Sequence, residues 1–285
     1  MNDKWDPTDY HRHSYPQHAL ASGLLKRLPL TGDERILDIG CGDGRVSAEL
    51  ARRVPRGSVL GIDASHNMIE FARTMFPESA YPNLSFVYGD ATRLSFCQEF
   101  DLVVAFASLH WVGDLGATLQ GIRRSLKPGG RFAAQLVATR SASATVKSPL
   151  YLARKEVMNR PAWKTYFEGF APRRTYTADE YNTLLQVAGF TLRRFGFVCE
   201  EVVHPSAEAL KGYARSTWHR YTDRIPVQER DAFLDEVVQR CVELSSPDSQ
   251  GKIRLRMHVL EFEATVPNTS ARLTAVPEHV DSVFE

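Results

Sequence analysis

The chain has 285 residues, and 43% of them are hydrophobic, which is enough to bury the core of one large α/β domain or of a domain with a cap. The formal net charge of +1 predicts no nucleic-acid partner. The four cysteines lie far apart, so the sequence indicates neither a disulfide framework nor a bound metal. No apolar run resembles a signal peptide or a membrane span, so we expect a cytoplasmic protein that does not contact membranes.

The first residues are predicted to form a polar arm with aromatic side chains (residues 1–15), followed by a helix from about Pro16. Leucines at helical spacing mark one side of this helix, and Pro29 ends the pattern. We interpret the arm as a lid over a ligand. The alternative is a chain end whose aromatic side chains pack on the surface.

The chain is organised around a short apolar run that is followed by glycines at alternate positions, Asp38-Ile39-Gly40-Cys41-Gly42-Asp43-Gly44. The apolar run predicts a buried strand, and the residues after the glycines return to helical spacing. A strand, a glycine loop and a helix form the first unit of nucleotide-binding α/β folds. The spacing excludes the dinucleotide fingerprint, because Arg45 stands at its third glycine position, and no Gly-Lys-Ser/Thr follows to make a P-loop.

Two further strands are predicted, each with an acidic residue at or just after its end. The second strand, 58–63, ends in Asp63, roughly 20 residues after the glycine loop, where an acid can accept hydrogen bonds from ribose hydroxyls. The third, 84–88, leads into a turn that contains Asp90. The alternatives are an ordinary strand-end or N-cap acid at Asp63 and a simple turn-forming residue at Asp90.

A fourth strand, 100–106, is apolar almost throughout, as expected for a central parallel strand, and a fifth is predicted from Phe132 to Val137. The fourth runs into Leu109-His110-Trp111. Because ligands of parallel sheets bind beyond the carboxyl ends of the strands, we expect His110 and Trp111 at the reacting centre. The alternative for His110 is a structural side chain.

The pattern changes after Thr139. A linker of small residues at 141–145 is followed by aromatic, charged helical stretches, and two amphipathic helices are predicted within about 205–245. Two long alternating segments, 190–203 and 252–266, predict strands, and we expect the last strand to be antiparallel and half exposed.

Residues 34–137 resemble the core of the class I S-adenosylmethionine-dependent methyltransferases. The resemblance rests on Asp-x-Gly-x-Gly-x-Gly at 38–44, the acids at 63 and 90, and Leu-Lys-Pro-Gly-Gly at 126–130, all in the family's order. It implies S-adenosyl-L-methionine as the cofactor. It also implies a Rossmann-like α/β fold with a seven-stranded, mostly parallel sheet whose last strand is antiparallel, flanked by helices and carrying an inserted helical cap.

The same resemblance assigns the cofactor site. Asp38 would receive the cofactor's ammonium group, Asp63 its ribose hydroxyls and Asp90 its adenine amine. The full set of implied cofactor-binding residues is Tyr10, Asp38, Gly40, Cys41, Gly42, Asp63, Ala64, Met68, Asp90, Ala91, Thr92 and Phe106.

The resemblance also divides the chain into segments. These are an N-terminal arm and helix acting as a lid (1–31), the cofactor-binding core (32–140, continued in 177–203 and the final strand 251–266), two cap segments (141–176 and 204–250) and a flexible tail (267–285).

Within the family, the chain is similar to enzymes that methylate carboxyl groups of small molecules. Trp5-Asp6-Pro7-x-x-Tyr10, Leu109-His110-Trp111-Val112 and Tyr221-x-x-Arg224-Ile225-Pro226 are similar to trans-aconitate methyltransferases. The spacing from Tyr10 to Gln17 is similar to juvenile hormone acid methyltransferases. This similarity implies catalytic roles for Gln17, His110 and Trp111, which would hold a carboxylic acid acceptor. The Arg-Pro pair associated with trans-aconitate enzymes is absent from the arm, which disfavours a tricarboxylic acid.

Two alternatives to a carboxylate acceptor stay open. The first is methylation of a phenol or enol oxygen, or of carbon or nitrogen, with His110 as general base. A carboxylate needs no such base, because it is already ionised at neutral pH. The second alternative is a protein that binds the cofactor or a partner without catalysis, since a fold does not prove an activity. The oligomeric state is not predicted.

Overall fold

The computed structural model describes residues 5–138, 148–170 and 175–268. Within them, seven strands form one sheet. The strands are β1 (Arg35–Ile39), β2 (Ser58–Asp63), β3 (Leu84–Tyr88), β4 (Phe100–Phe106), β5 (Leu126–Leu136), β6 (Thr191–His204) and β7 (Ile253–Thr265).

The strand order is β3-β2-β1-β4-β5-β7-β6. The pairs among β1 to β5 are parallel, whereas β7 runs antiparallel to both of its neighbours, β5 and β6. The predicted seven-stranded sheet with an antiparallel last strand is therefore confirmed. This order brings the carboxyl ends of β1, β2, β3 and β4 to one edge of the sheet.

Eleven helices lie within the described residues. They are α1 (Pro7–His13), α2 (Tyr15–Arg27), α3 (Arg45–Arg53), α4 (His66–Met75), α5 (Leu115–Ser125), α6 (Pro149–Met158), α7 (Pro161–Lys164), α8 (Ala178–Val187), α9 (Ala207–Thr217), α10 (His219–Thr222) and α11 (Arg230–Ser245). Short 3₁₀ turns occur at Ala91–Arg93, Leu109–Trp111, Thr165–Phe167 and Val227–Glu229.

Two hydrophobic cores cover the two faces of the sheet. Successive strand residues point to opposite faces, so Ile36 packs with α2, α3 and α4 on one side, and Leu37 packs with α5 and α8 on the other. A third core joins α6, α7, α9, α10 and α11, called the cap below, to the first residues of β7, Ile253 and Leu255. The cap is thus anchored to the sheet through β7.

The arm contains a helix that the sequence analysis did not predict. The Asp6 side chain accepts hydrogen bonds from the backbone N–H groups of Thr8 and Asp9, and Pro7 occupies the first turn of α1. An acidic N-cap followed by proline favours a helix start, because it satisfies orphan N–H groups and presets the backbone. The arm is therefore more ordered than predicted.

Three other expectations on secondary structure were wrong in detail. Strand β5 begins at Leu126 and not at Phe132, because a register shift against β4 lets the Pro-Gly-Gly segment continue into the strand. Three helices, not two, occupy residues 207–245. The second half of β7 is buried, because Leu260, Phe262 and Ala264 belong to the core shared with α5 and α8, and Glu261 pairs with Arg27 of α2 on the other face. The predicted linker at 141–145 and most of the tail lie outside the described residues.

Candidate functional site

The arm closes over the carboxyl ends of β1 and β4 to form a cavity. Its lining includes seven residues that the sequence analysis assigned to the site: Tyr10, Gln17, Asp38, Gly40, Cys41, Gly42 and Phe106. It also includes Ser14, His18, Ala21, Asp43, Arg45 and Val46. Helix α2, strands β1 and β4 and the glycine loop therefore converge on one space.

The glycine loop is held in a backbone conformation that requires glycine. Gly40 has φ +71° and Gly42 has φ +55°, in the left-handed region that other residues rarely adopt. A Cβ on Gly40 would lie 2.3 Å from Cβ of Ser108, the residue that hydrogen-bonds the carbonyl of Ile39 at 2.6 Å. The close approach of Ser108 fixes the loop against the chain that follows β4.

Asp63 is tied directly to the glycine loop. Its Oδ2 accepts the backbone N–H of Gly42 at 2.9 Å, and its Oδ1 accepts the N–H of Ser65 at 2.9 Å. Ser65 in turn caps α4 by accepting the N–H of the buried Met68 at 3.1 Å. The carboxylate at the end of β2 is therefore positioned beside the loop, with Ala64 and Met68 following it on the same edge.

Asp38 is a buried carboxyl group at the floor of the cavity. Its side chain is 1% exposed and accepts a hydrogen bond from Ser47 Oγ at 2.6 Å. Burial raises the pKa of Asp38, the Ser47 hydrogen bond opposes this shift, and the negative charge of Asp63 adds to it, with a net pKa of about 7. A cation that enters the cavity would therefore stabilise the ionised form of the Asp38 carboxyl group.

Asp90 lies outside the cavity, at the end of the neighbouring strand β3. Its Oδ1 accepts both the backbone N–H and the hydroxyl of Thr92, each at 2.8 Å, which fixes the turn containing Ala91. Because Asp63 pairs with Tyr88 in the β2–β3 register, this turn lies next to the end of β2. An extended ligand could therefore reach from the cavity past Asp63 to this turn.

The arm contributes two of the predicted residues. The ring of Tyr10 packs against Gly42, where an added Cβ would lie 3.6 Å from the ring. Gln17 Oε1 is buried, and no described residue forms a hydrogen bond with it. Because a buried, unpaired amide oxygen is costly, this group favours a ligand that provides the missing partner.

His110 and Trp111 lie in the 3₁₀ turn after β4 and do not line the cavity. Trp5 connects them to the arm, since its ring centroid lies 5.6 Å from that of Trp111 and 5.6 Å from that of Tyr10. Trp5 also contacts His219 of the cap at 4.8 Å. The structure thus brings both predicted residues into a cluster of rings beside the cavity. This cluster, made of Trp5, His110, Trp111 and His219, is called the aromatic wall below.

The sequence analysis missed an ionic cluster that attaches the arm to the glycine loop. His11 Nδ1 lies 2.9 Å from the buried Asp43, and Arg45 contacts both Asp43 at 2.7 Å and Ser14 Oγ at 2.5 Å. The signal available in the sequence was the acid–base pair that flanks Gly44. It could not reveal that His11 and Ser14 come from the arm.

Two negative findings concern the described residues. None of their helices is long and apolar enough to cross a membrane. Over the same ranges, His, Cys, Asp and Glu side chains form no group of three or more that could hold a metal ion.

Comparison with known proteins identifies methyltransferases. A family model described as a methyltransferase domain matches residues 36–130. The trans-aconitate 2-methyltransferase of Paracidovorax citrulli is 31% identical over 82% of this chain and 87% of its own length. The protein of the same name in Streptomyces coelicolor is 31% identical over 81% and 77%.

Solved structures share the fold. The YcgJ protein from Bacillus subtilis matches with a TM-score of 0.59 at 15% identity, covering 88% of this chain and 100% of that chain. Phosphoethanolamine N-methyltransferase 2 from Haemonchus contortus, in complex with S-adenosyl-L-methionine, matches with a TM-score of 0.54 at 19% identity, covering 87% and 52%. At these identities the two likenesses show the fold alone.

Proposed function

Because the chain belongs to the class I S-adenosylmethionine-dependent methyltransferase family, we propose that it methylates a carboxylate oxygen of a small organic acid. The observation that carries this acceptor is the position of Gln17, whose side chain shares a cavity with the glycine loop. Its unpaired Oε1 can only accept from a donor group of a ligand, so the NH2 group of the same amide is the part that would face a carboxylate. A neutral amide can orient a carboxylate by donating an N–H, but it cannot act as a base. The names of the relatives, trans-aconitate 2-methyltransferases, support the same class of acceptor.

The residues at the site fit the cofactor. The buried Asp38 would hold its ammonium group, because a cation compensates for the burial that raises the pKa of this carboxyl. Asp63 would accept hydrogen bonds from the ribose hydroxyls, and the turn at Asp90 would contact the adenine. When bound, the cofactor supplies a methyl group on a positively charged sulfur, and its transfer forms a carbon–oxygen bond while the carbon–sulfur pair returns to sulfur.

The protein's contribution is mainly alignment. The glycine loop and Asp63 are fixed to each other, so the cofactor's position is set by rigid strand ends. The arm would hold the acceptor through Gln17, with His110 and Trp111 as further N–H donors at the aromatic wall. Such alignment supplies on the order of 7–11 kcal/mol of the barrier. The acceptor carboxylate becomes a neutral ester, and no proton needs to be removed.

The arm would act as a lid. Its aromatic residues Trp5 and Tyr10 contact the cap, the glycine loop and the turn after β4, so its closure excludes water from the cavity. The chain's net charge of +1 agrees with a small-molecule acceptor and with neither a nucleic-acid nor a membrane partner. We place its activity in the cytoplasm.

The test is direct methyl transfer. The purified protein is incubated with cofactor labelled in the methyl group and with a panel of trans-aconitate, glutarate, adipate, pentanoate and catechol. We expect the label in an acid of the panel, as a methyl ester that mild base converts to methanol. Label that appears only in catechol, or in a base-stable product, would contradict carboxyl methylation.

His110 supports a second candidate, methylation of a phenol or enol oxygen. Its ring lies beside Trp111, 5.4 Å away, at the end of β4, where an imidazole could take a proton from an acceptor. The distinguishing measurement is kcat against pH at saturating cofactor. A rise governed by a group near pKa ~6.5 that disappears in His110→Ala would favour the base mechanism, whereas carboxylate methylation predicts a flat profile.

A further inference from the structure

Arg154, on α6 of the cap, is surrounded by aromatic rings. Its Cζ lies 4.1 Å from the ring centroid of Tyr221, 5.0 Å from that of Trp218 and 5.5 Å from that of Tyr151. All three distances are within the range of cation–π attraction. The rings cover part of the guanidinium, and this partial burial lowers the pKa of Arg154.

The guanidinium has no hydrogen-bond acceptor among the described residues. The two internal ranges outside them, 139–147 and 171–174, contain no aspartate or glutamate. Other cap arginines differ, since Arg160 pairs with Glu236 at 2.6 Å and Arg240 with Glu156 at 2.6 Å. A guanidinium has five N–H donors, and aromatic rings cover much of this partly exposed cation without accepting from those donors, so Arg154 favours an anionic ligand.

Arg154 lies on the side of the cap that faces the arm. Burial raises the pKa of the Tyr213 hydroxyl and the positive charge of Arg154 opposes that shift, so the two side chains lie near each other. The ring of Tyr213 lies 5.4 Å from that of His204, whose Nδ1 is 2.5 Å from the Tyr15 hydroxyl.

A second route leads from Arg154 to the same region. Trp218, which covers the guanidinium, adjoins His219, and His219 contacts Trp5 of the aromatic wall. Arg154 is therefore linked, through Trp218 and His219, to the arm residue Trp5, which contacts Tyr10 in the lining of the cavity.

We propose that Arg154 binds a second anionic group of the acceptor, so that the preferred acceptor carries at least two carboxylates. One carboxylate is held near Gln17 and is methylated, while the other pairs with the guanidinium. A planar guanidinium can bind a carboxylate through two parallel hydrogen bonds, and the surrounding rings strengthen that pair by excluding water. This assignment rests on the proposed carboxyl methylation.

The test compares acids that differ in one carboxylate. Wild type, Arg154→Gln and Arg154→Lys are assayed for kcat/KM with glutarate and pentanoate and with adipate and hexanoate. Arg224→Gln is the matched control, because Arg224 also stacks on a cap ring, Phe170, but donates to backbone carbonyls. We expect Arg154→Gln to lower kcat/KM for the diacids by about tenfold or more (about 1.4 kcal/mol) and to change kcat/KM for the monoacids little. Arg154→Lys should lower kcat/KM for the diacids less. The control should leave kcat/KM unchanged for both kinds of acid.

A second readout does not depend on turnover. Glutarate should raise the Tm of the wild type in the presence of S-adenosylhomocysteine, and this shift should be absent in Arg154→Gln. If Arg154→Gln lowered kcat/KM equally for the diacid and the monoacid of a pair, or if the wild type preferred pentanoate to glutarate, the role of Arg154 would be overturned. Either result would leave carboxyl methylation intact. A wild type that neither binds nor methylates any of the acids would refute both proposals.

Discussion

Asp9 of the arm forms a bidentate ion pair with Arg215 of α9, with Nη2–Oδ1 at 2.6 Å and Nε–Oδ2 at 3.1 Å. Burial opposes ionisation of Asp9, but the hydrogen bond and charge of Arg215, together with His13, outweigh it and lower the pKa of this carboxyl. The packing around the pair is tight, since the ring of His13 fills the space where Gly212 lacks a side chain. The Asp9–Arg215 ion pair and the His13–Gly212 contact therefore attach the arm to the cap.

Removing this ion pair should loosen the arm. We expect Arg215→Ala to raise the KM for the cofactor by at most about fivefold, since partly exposed ion pairs contribute about 1 kcal/mol or less. The effect should shrink in high salt. Arg240→Ala is the control, because it removes a cap ion pair that does not contact the arm. Equal cofactor KM values in the two variants would argue against a lid.

Substitution of Gly40 should damage both the fold and the cofactor site. In Gly40→Ala the new Cβ would collide with Ser108, and the left-handed backbone itself costs roughly 1–2 kcal/mol. We expect a lower Tm and no measurable binding of S-adenosylhomocysteine by calorimetry. Gly196→Ala is the control, since a Cβ there meets no atom within 4 Å. Normal cofactor binding by Gly40→Ala would show that the loop can shift without consequence.

Asp38 should make both stability and cofactor binding depend on pH. Its pKa in the folded protein, about 7, exceeds the unfolded value, about 4. The ligand-free protein should therefore lose stability as pH rises through this interval, and Asp38→Asn should remove that loss. Affinity for S-adenosylhomocysteine should rise across the same interval in the wild type, because the ionised carboxyl receives the ammonium, and should vary less in the variant. Parallel pH profiles in both proteins would contradict this role.

Gln17 should affect activity and stability in opposite directions. Gln17→Leu removes a buried oxygen that lacks a partner, so the ligand-free protein should keep or gain stability. Its kcat/KM for the acceptor should fall by about tenfold or more (about 1.4 kcal/mol). Gln135→Leu is the contrast, because Gln135 donates to Leu20 and Glu261 and its loss should destabilise the fold. A Gln17→Leu variant with full activity would remove Gln17 from the acceptor site.

The cofactor core was predictable because its signals are local in the sequence. Asp38, the glycines and Asp63 follow one another at spacings fixed by a strand, a tight loop and a helix, and their relative positions follow from parallel pairing. The ends of β1 to β4 could therefore be placed at one edge from sequence alone.

The acceptor side could not be predicted in the same way. Asp9 and Arg215 are separated by 206 residues, and Tyr15 and His204 by 189. Such contacts depend on how the cap packs against the arm, which no local periodicity records. Arg154 looks like an ordinary charged residue of a helix until the rings of Tyr151, Trp218 and Tyr221 are seen around it.

The most direct measurement is calorimetric titration with S-adenosylhomocysteine of the wild type, Asp63→Ala and Asp101→Ala. Asp63 touches the glycine loop, whereas Asp101 lies at the opposite end of the sheet, paired with Lys127 at 2.8 Å. We expect the wild type and Asp101→Ala to bind S-adenosylhomocysteine with similar affinity. In Asp63→Ala the affinity should fall by about tenfold or more (about 1.4 kcal/mol). A wild type that does not bind, or equal affinity in all three proteins, would contradict a cofactor site at this edge of the sheet.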